Sequence, residues 1–104
     1  MSAAASRKRA SLARPFEYTK SFRKDWKRLT ESGRYDMHRL KAVMLLLIGN
    51  DAPLPAQYLD HALQGQWQGF RECHVGGDFL LIYEIQDDDA VVFTRAGTHS
   101  ELFS

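Results

Sequence analysis

Gly76-Gly77-Asp78-Phe79-Leu80-Leu81-Ile82-Tyr83-Glu84-Ile85 is the stretch that decides the fold. Phe79–Ile85 is apolar at consecutive positions, so it reads as a strand covered on both faces, the central and most buried one. Gly76-Gly77 in front of it is a turn signal. Gln86-Asp87-Asp88-Asp89 behind it is a polar turn. Strand patterns flank both turns, Phe70–Val75 upstream and Ala90–Ala96 downstream, and the three together read as an antiparallel meander.

Upstream the period changes from two to 3.6. Phe22, Trp26 and Leu29 recur at i, i+4 and i+7 after Thr19 or Ser21, either of which can cap a helix, and Gly33 is a stop. A second helix runs from about Tyr35 to Ile48, with Met37, Leu40, Met44 and Leu47 in one line, and Gly49-Asn50 ends it. The short link predicts an antiparallel pair. Phe16-Glu17-Tyr18 alternates and can form a short edge strand. Asp51–Trp67, with Pro53 and Pro55, reads as a loop with at most one helical turn. The expected layout is α+β: two N-terminal antiparallel helices packed on a small antiparallel sheet.

The chain has 104 residues, enough for one domain over 15–104. Residues 1–14 are small, polar and basic, and read as a flexible arm. Net charge is only +1, but its distribution is uneven. Residues 1–41 hold twelve Lys and Arg against four Asp and Glu; residues 42–104 hold two against nine. That asymmetry suggests a basic face for a polyanion, and Lys20, Lys24, Lys27 and Arg28 are its candidate phosphate contacts, with Arg23 and Arg34 beside them. One cysteine, Cys73, excludes an internal disulfide and suits a reducing cytoplasm. No apolar run reaches the ~20 residues of a membrane helix.

The groups able to do chemistry are histidines, a carboxylate and an arginine. Arg95 leaves the last strand as a fixed cation able to grip a phosphate with two prongs, or to form a surface ion pair with Glu84. His99 can exchange a proton near neutral pH and is the candidate general acid. His61, His74 and Asp78 form a set from which a general base can come; the residues alone do not separate them. His38, on the second helix, matches no such role. Phe79 and Phe103 can stack on bases, although Phe79 also suits the core, and Trp67 reads as a packing anchor. No metal motif and no cofactor motif is present.

Two geometric expectations follow. Four residues of strand separate Arg95 from His99, about 13 Å, so both reach one phosphate only if the chain bends near Gly97. A two-residue turn on Gly76-Gly77 pairs Val75 with Asp78, whereas a three-residue loop pairs His74 with Asp78 on one face.

Asp60-His61-Ala62-Leu63-Gln64-Gly65-Gln66-Trp67-Gln68-Gly69-Phe70-Arg71-Glu72-Cys73-His74 resembles the middle of YafQ-type toxins of the RelE/ParE toxin–antitoxin superfamily. Asp78–Tyr83 and Arg95–Phe103 resemble its other signatures. The resemblance covers about residues 15–103. It implies a RelE-like fold and a metal-independent, ribosome-dependent endoribonuclease of messenger RNA, neutralised by a cognate antitoxin. It also implies that His61, His74, Asp78, Arg95, His99 and Phe103 occupy the family's site positions. The chain departs at Phe79, where the family often has Trp. Alternatives are a ParE-like gyrase-binding toxin without nuclease activity, a metal-dependent hydrolase using His61, His74, His99 and Asp78, and an RNA-binding module without catalysis.

Overall fold

The computed structural model describes residues 13–49 and 54–104. Most of the expected basic arm, and the part of the expected loop over 51–53, lie outside the described residues. Strand β1 (Phe16–Tyr18) leads into α1 (Lys20–Ser32) and α2 (Met37–Gly49). A single 3-10 turn at Ala56–Tyr58 precedes β2 (His61–Ala62), and another at Gly65–Trp67 follows it. Then come β3 (Arg71–Gly76), β4 (Phe79–Ile85), β5 (Val91–Thr98) and the short helix α3 (His99–Phe103).

The five strands form one sheet in the order β1-β5-β4-β3-β2. The expected meander β3-β4-β5 is its antiparallel centre. The sheet is mixed, not purely antiparallel, because β1 runs parallel to β5. The segment read as a plain loop also contributes a strand: His61 pairs with Glu72 and Ala62 with Arg71. Two residues carry too little period to be recognised before their partner strand is in place.

Local chemistry explains the helix limits. The Thr19 hydroxyl accepts the Phe22 N–H at 3.0 Å, and Gly33 closes α1 at φ 69°. Helix α2 starts at Met37, later than Tyr35, because the Asp36 carboxylate accepts the Arg39 N–H at 2.9 Å. Its far end is held by Arg14, whose backbone N–H and Nη1 donate to Ile48 and Leu47 carbonyls at 2.7 and 2.9 Å. Arg14, read as part of the arm, therefore belongs to the folded domain.

Both helices bury their apolar sides on one face of the sheet, α1 against β5 and α2 against β3. Leu29, Leu40 and Val43 from the helices meet Cys73, Val75, Leu81, Tyr83, Phe93 and Ala96 from the strands there. Each such leucine contributes about 1.5–3 kcal/mol by leaving water. The other face is only partly covered: Leu80 and Ile82 meet Leu102 of α3, with Leu63, Trp67, Phe70 and Phe103 around them. This open face is where functional groups can reach a ligand.

Two one-residue bulges decide which side chains reach it. In β5, Phe93 pairs with Tyr83 while Arg95 pairs with Ile82, leaving Thr94 as the extra residue. Phe93 and Arg95 would share a face in a regular strand; the bulge puts Phe93 in the core and Arg95 on the Ile82 side. The displaced Thr94 carbonyl accepts the Thr19 hydroxyl at 2.7 Å. In β3, His74 pairs with Leu80 and Gly76 with Phe79, leaving Val75 as the extra residue.

Candidate active site

The open face is built in rows. Arg95, Ile82, Glu72 and His61 lie side by side across β5, β4, β3 and β2. Gly97, Leu80 and His74 form the next row. His61 and His74 come together, their ring centroids 6.4 Å apart. Between them stands Glu72, a carboxylate that the sequence reading passed over. It is 6% exposed, with Oε1 3.4 Å from His61 Nε2 and 3.8 Å from His74 Nε2. Its Oε2 has no hydrogen-bond partner among the described residues. The signal was available, since Glu72 and His74 are two apart on one strand and must share a face.

His61 is fixed by its own loop. Nδ1 lies 2.7 Å from the Leu59 carbonyl, which can only accept, so Nδ1 carries a proton and Nε2 faces Glu72. The loop is tied down by Asp60, whose Oδ1 accepts the Tyr83 hydroxyl at 2.6 Å and Arg71 Nε at 3.3 Å. Burial, then the bond to Asp60, pushes the Tyr83 hydroxyl well above its usual range.

The turn between β3 and β4 is neither of the two expected. Gly76 pairs with Phe79, so Gly77-Asp78 is the turn, with Gly77 at φ 55°. His74 and Asp78 are therefore not cross-strand partners. Asp78 instead accepts the His99 backbone N–H on Oδ1 at 3.2 Å, which places the start of α3. Thr98 and Glu101 complete a capping box there: Thr98 Oγ1 accepts the Glu101 N–H, and Glu101 Oε1 accepts the Thr98 N–H at 2.8 Å. His99 is exposed, and its ring lies 4.9 Å from that of Phe103, one turn on. Trp67 packs edge-on to Phe70 and Phe103 at 5.4 and 5.9 Å, lining a shallow depression with Gln66 and Leu102.

The expected turn of the chain comes not at Gly97 but just after Thr98, where β5 ends and α3 begins. Strand β5 runs on through Thr98, and its irregularity lies before Arg95, at Thr94. Gly97 serves close packing instead: a Cβ there would lie 2.7 Å from Glu101 Oε1 and 3.5 Å from Leu102 Cδ2, so a side chain at this position would displace the Glu101 carboxylate from its cap. Arg95 does not pair with Glu84. It reaches over the β5 edge to Asp25, with Nε 2.7 Å from Oδ2 and Nη2 3.2 Å from Oδ1. That hydrogen bond holds the guanidinium above its usual pKa.

Other candidates lie elsewhere. Phe79 is buried on the helix-covered face, 5.0 Å from the Tyr35 ring, and is a core residue with no path to a base on the histidine face. Arg28 is held by Asp25 and Glu101, at 3.2 and 2.7 Å. Lys20, Lys24 and Lys27 are exposed on α1, and Lys27 lies 3.5 Å from Glu31. His38 is exposed on α2. Cys73 is buried, and burial pushes its thiol well above the usual range. No described helix is long and apolar enough to cross a membrane.

An α+β scaffold carrying imidazoles, a carboxylate and an arginine on its open face is the architecture of a small toxin domain of the RelE/ParE type. Residues 14–104 match the family described as bacterial toxin of type II toxin-antitoxin system, YafQ. The chain is 47% identical to the mRNA interferase toxin YafQ of Escherichia coli K12 over 92 residues, 88% of this chain and 98% of that protein. It therefore belongs to the YafQ family of toxins. Its fold matches YafQ in the E. coli DinJ–YafQ complex with a TM-score of 0.78 and 47% identity, over 88% of this chain and 99% of that one. It also matches a metal-bound toxin from Helicobacter pylori with a TM-score of 0.72 and 41% identity, over 86% and 98% of the two chains.

Proposed function

We propose that this YafQ-family endoribonuclease cleaves messenger RNA engaged on the ribosome, without a metal, and that a cognate antitoxin neutralises it. The observation that carries the reading is the convergence of His61, Glu72 and His74 on the face that also presents Arg95 and the α3 pair His99 and Phe103.

RNA brings its own nucleophile. A base from the His61–Glu72–His74 group takes the proton of the 2′-hydroxyl, whose oxygen attacks the adjacent phosphorus. The bond from phosphorus to the 5′-oxygen breaks, and His99 delivers a proton to that oxygen. A 2′,3′-cyclic phosphate and a 5′-hydroxyl remain. Arg95 opposes the charge that builds on the phosphate. Asp78 contributes by holding the backbone of His99. Phe103 offers a face for a splayed base beside His99. Lys20, Lys24 and Lys27 supply exposed charge for ribosomal RNA.

The test is cleavage of messenger RNA on translating ribosomes by wild type and His99→Ala. It is run with and without a chelator that removes transition metals and leaves magnesium. The expected result is cleavage that survives the chelator, leaves cyclic or 3′-phosphate ends, and falls at least about 100-fold in His99→Ala. Equal cleavage by the variant refutes the acid role, and loss with chelator refutes the metal-free route.

A further inference from the structure

Asp25 is the only acid between Lys20 and Arg28, and it is 4% exposed. It sits where the sheet is incomplete. Strand β1 pairs with β5 only over Val91–Phe93, so the β5 edge beyond has lost its neighbour. Asp25 Oδ2 accepts the Ala96 N–H at 3.0 Å in place of a strand carbonyl, and Arg28 Nη2 lies 3.4 Å from the Ala96 carbonyl. The same carboxylate grips Arg95 from the side, through Nε and Nη2.

A guanidinium carries five N–H donors. Asp25 uses two of Arg95's, both along its Nε side. Both donors on Nη1 and the second on Nη2 remain, and one from each of these nitrogens forms the end-on fork that matches two phosphate oxygens. The Arg95 side chain is 29% exposed, so the clamped guanidinium is not sealed into the core.

We propose that Asp25 is a positioning residue for RNA cleavage, clamping Arg95 side-on so that its end-on fork is presented to the phosphate. The proposal rests on the assignment of Arg95 to the cleavage site. A side chain held by two bonds loses less freedom when it meets the transition state than a mobile one. The effect belongs in kcat, with substrate binding little changed.

Asp25→Asn keeps an oxygen for the Ala96 N–H and loses the charge and one arm of the grip. It is compared with Arg95→Ala and with the double variant in the ribosome assay, alongside thermal melts. The expected result for Asp25→Asn is a fall in kcat of about tenfold with KM within about twofold. In the Arg95→Ala background the same substitution should change kcat by less than about twofold. A loss that multiplies in that background shows that Asp25 acts on the fold and overturns the proposal. Unchanged kcat in Asp25→Asn, with Arg95→Ala impaired, overturns the proposal alone. Unchanged kcat in Arg95→Ala removes the Arg95 assignment and the proposal with it. A second measurement needs no variant: by NMR the Arg95 Nε–H of the wild-type protein should exchange far more slowly than that of the exposed Arg23. Equal exchange means that the side-on grip is absent in solution and refutes the clamp.

Discussion

Tyr83→Phe removes one oxygen and leaves the ring, so it isolates the bond that ties the His61 loop to the sheet. Tyr83 is 2% exposed and its hydroxyl lies 2.6 Å from Asp60 Oδ1. The ring packing survives, so no large cavity forms. What is lost is a short bond to a charged acceptor, and among the described residues Asp60 keeps Arg71 Nε, at 3.3 Å. Such a bond contributes about 1.5–3 kcal/mol. In a domain this size 1 kcal/mol moves Tm by about 4–8 °C, so a loss of about 2 kcal/mol lowers Tm by roughly 8–16 °C. The pH dependence is a second check. The folded hydroxyl titrates above its unfolded value of about 10. Its contribution is therefore complete below about pH 10 and lost as pH rises toward the folded value, at about 1.4 kcal/mol per pH unit. Phenylalanine cannot titrate, and Cys73 contributes equally to both proteins. The deficit of Tyr83→Phe should narrow by about 1.4 kcal/mol between about pH 8 and 11. Urea unfolding followed by circular dichroism at both pH values measures it. A deficit under about 0.5 kcal/mol at pH 8, or one that stays constant with pH, refutes the reasoning.

The two phenylalanines should part company: Phe79→Ala is expected to cost about 3–5 kcal/mol in unfolding measurements. Phe103→Ala should weaken RNA engagement by about 1–3 kcal/mol per stacked base, read as a raised KM with most of the stability kept. Gly97→Ala forces Glu101 out of its capping box and should cost about 0.5–2 kcal/mol, while Thr98→Ala, which removes the same cap, should add little on top of it. Replacing Lys20, Lys24 and Lys27 together by Gln should flatten the salt dependence of ribosome binding, by about 0.7–0.9 in the log–log slope for each phosphate contact removed. An unchanged slope would place the docking surface elsewhere.

Sequence by itself determined the order of the two long helices and the three long strands, because period and capping are local, and it missed β2 and α3, which are too short to show a period. Thr19 and Gly33 close α1, and the apolar run of β4 must lie at the sheet's centre. It also singled out the histidines, Asp78 and Arg95, whose chemistry is written in residue type. Even Glu72 could have been found, from its two-residue spacing to His74. Faces and partners were decided by the tertiary structure. One extra residue, Thr94 in β5, turns Arg95 away from the Phe93 side, and one in β3, Val75, resets the turn so that Asp78 meets His99 and not His74. A bulge leaves no local period to read, since its place depends on which partner strand and which core the chain meets. The same holds for Asp25 and Arg95, 70 residues apart. On the sequence one is an acid within a basic helix and the other a strand-end cation, and only the uncovered edge of β5 brings them together.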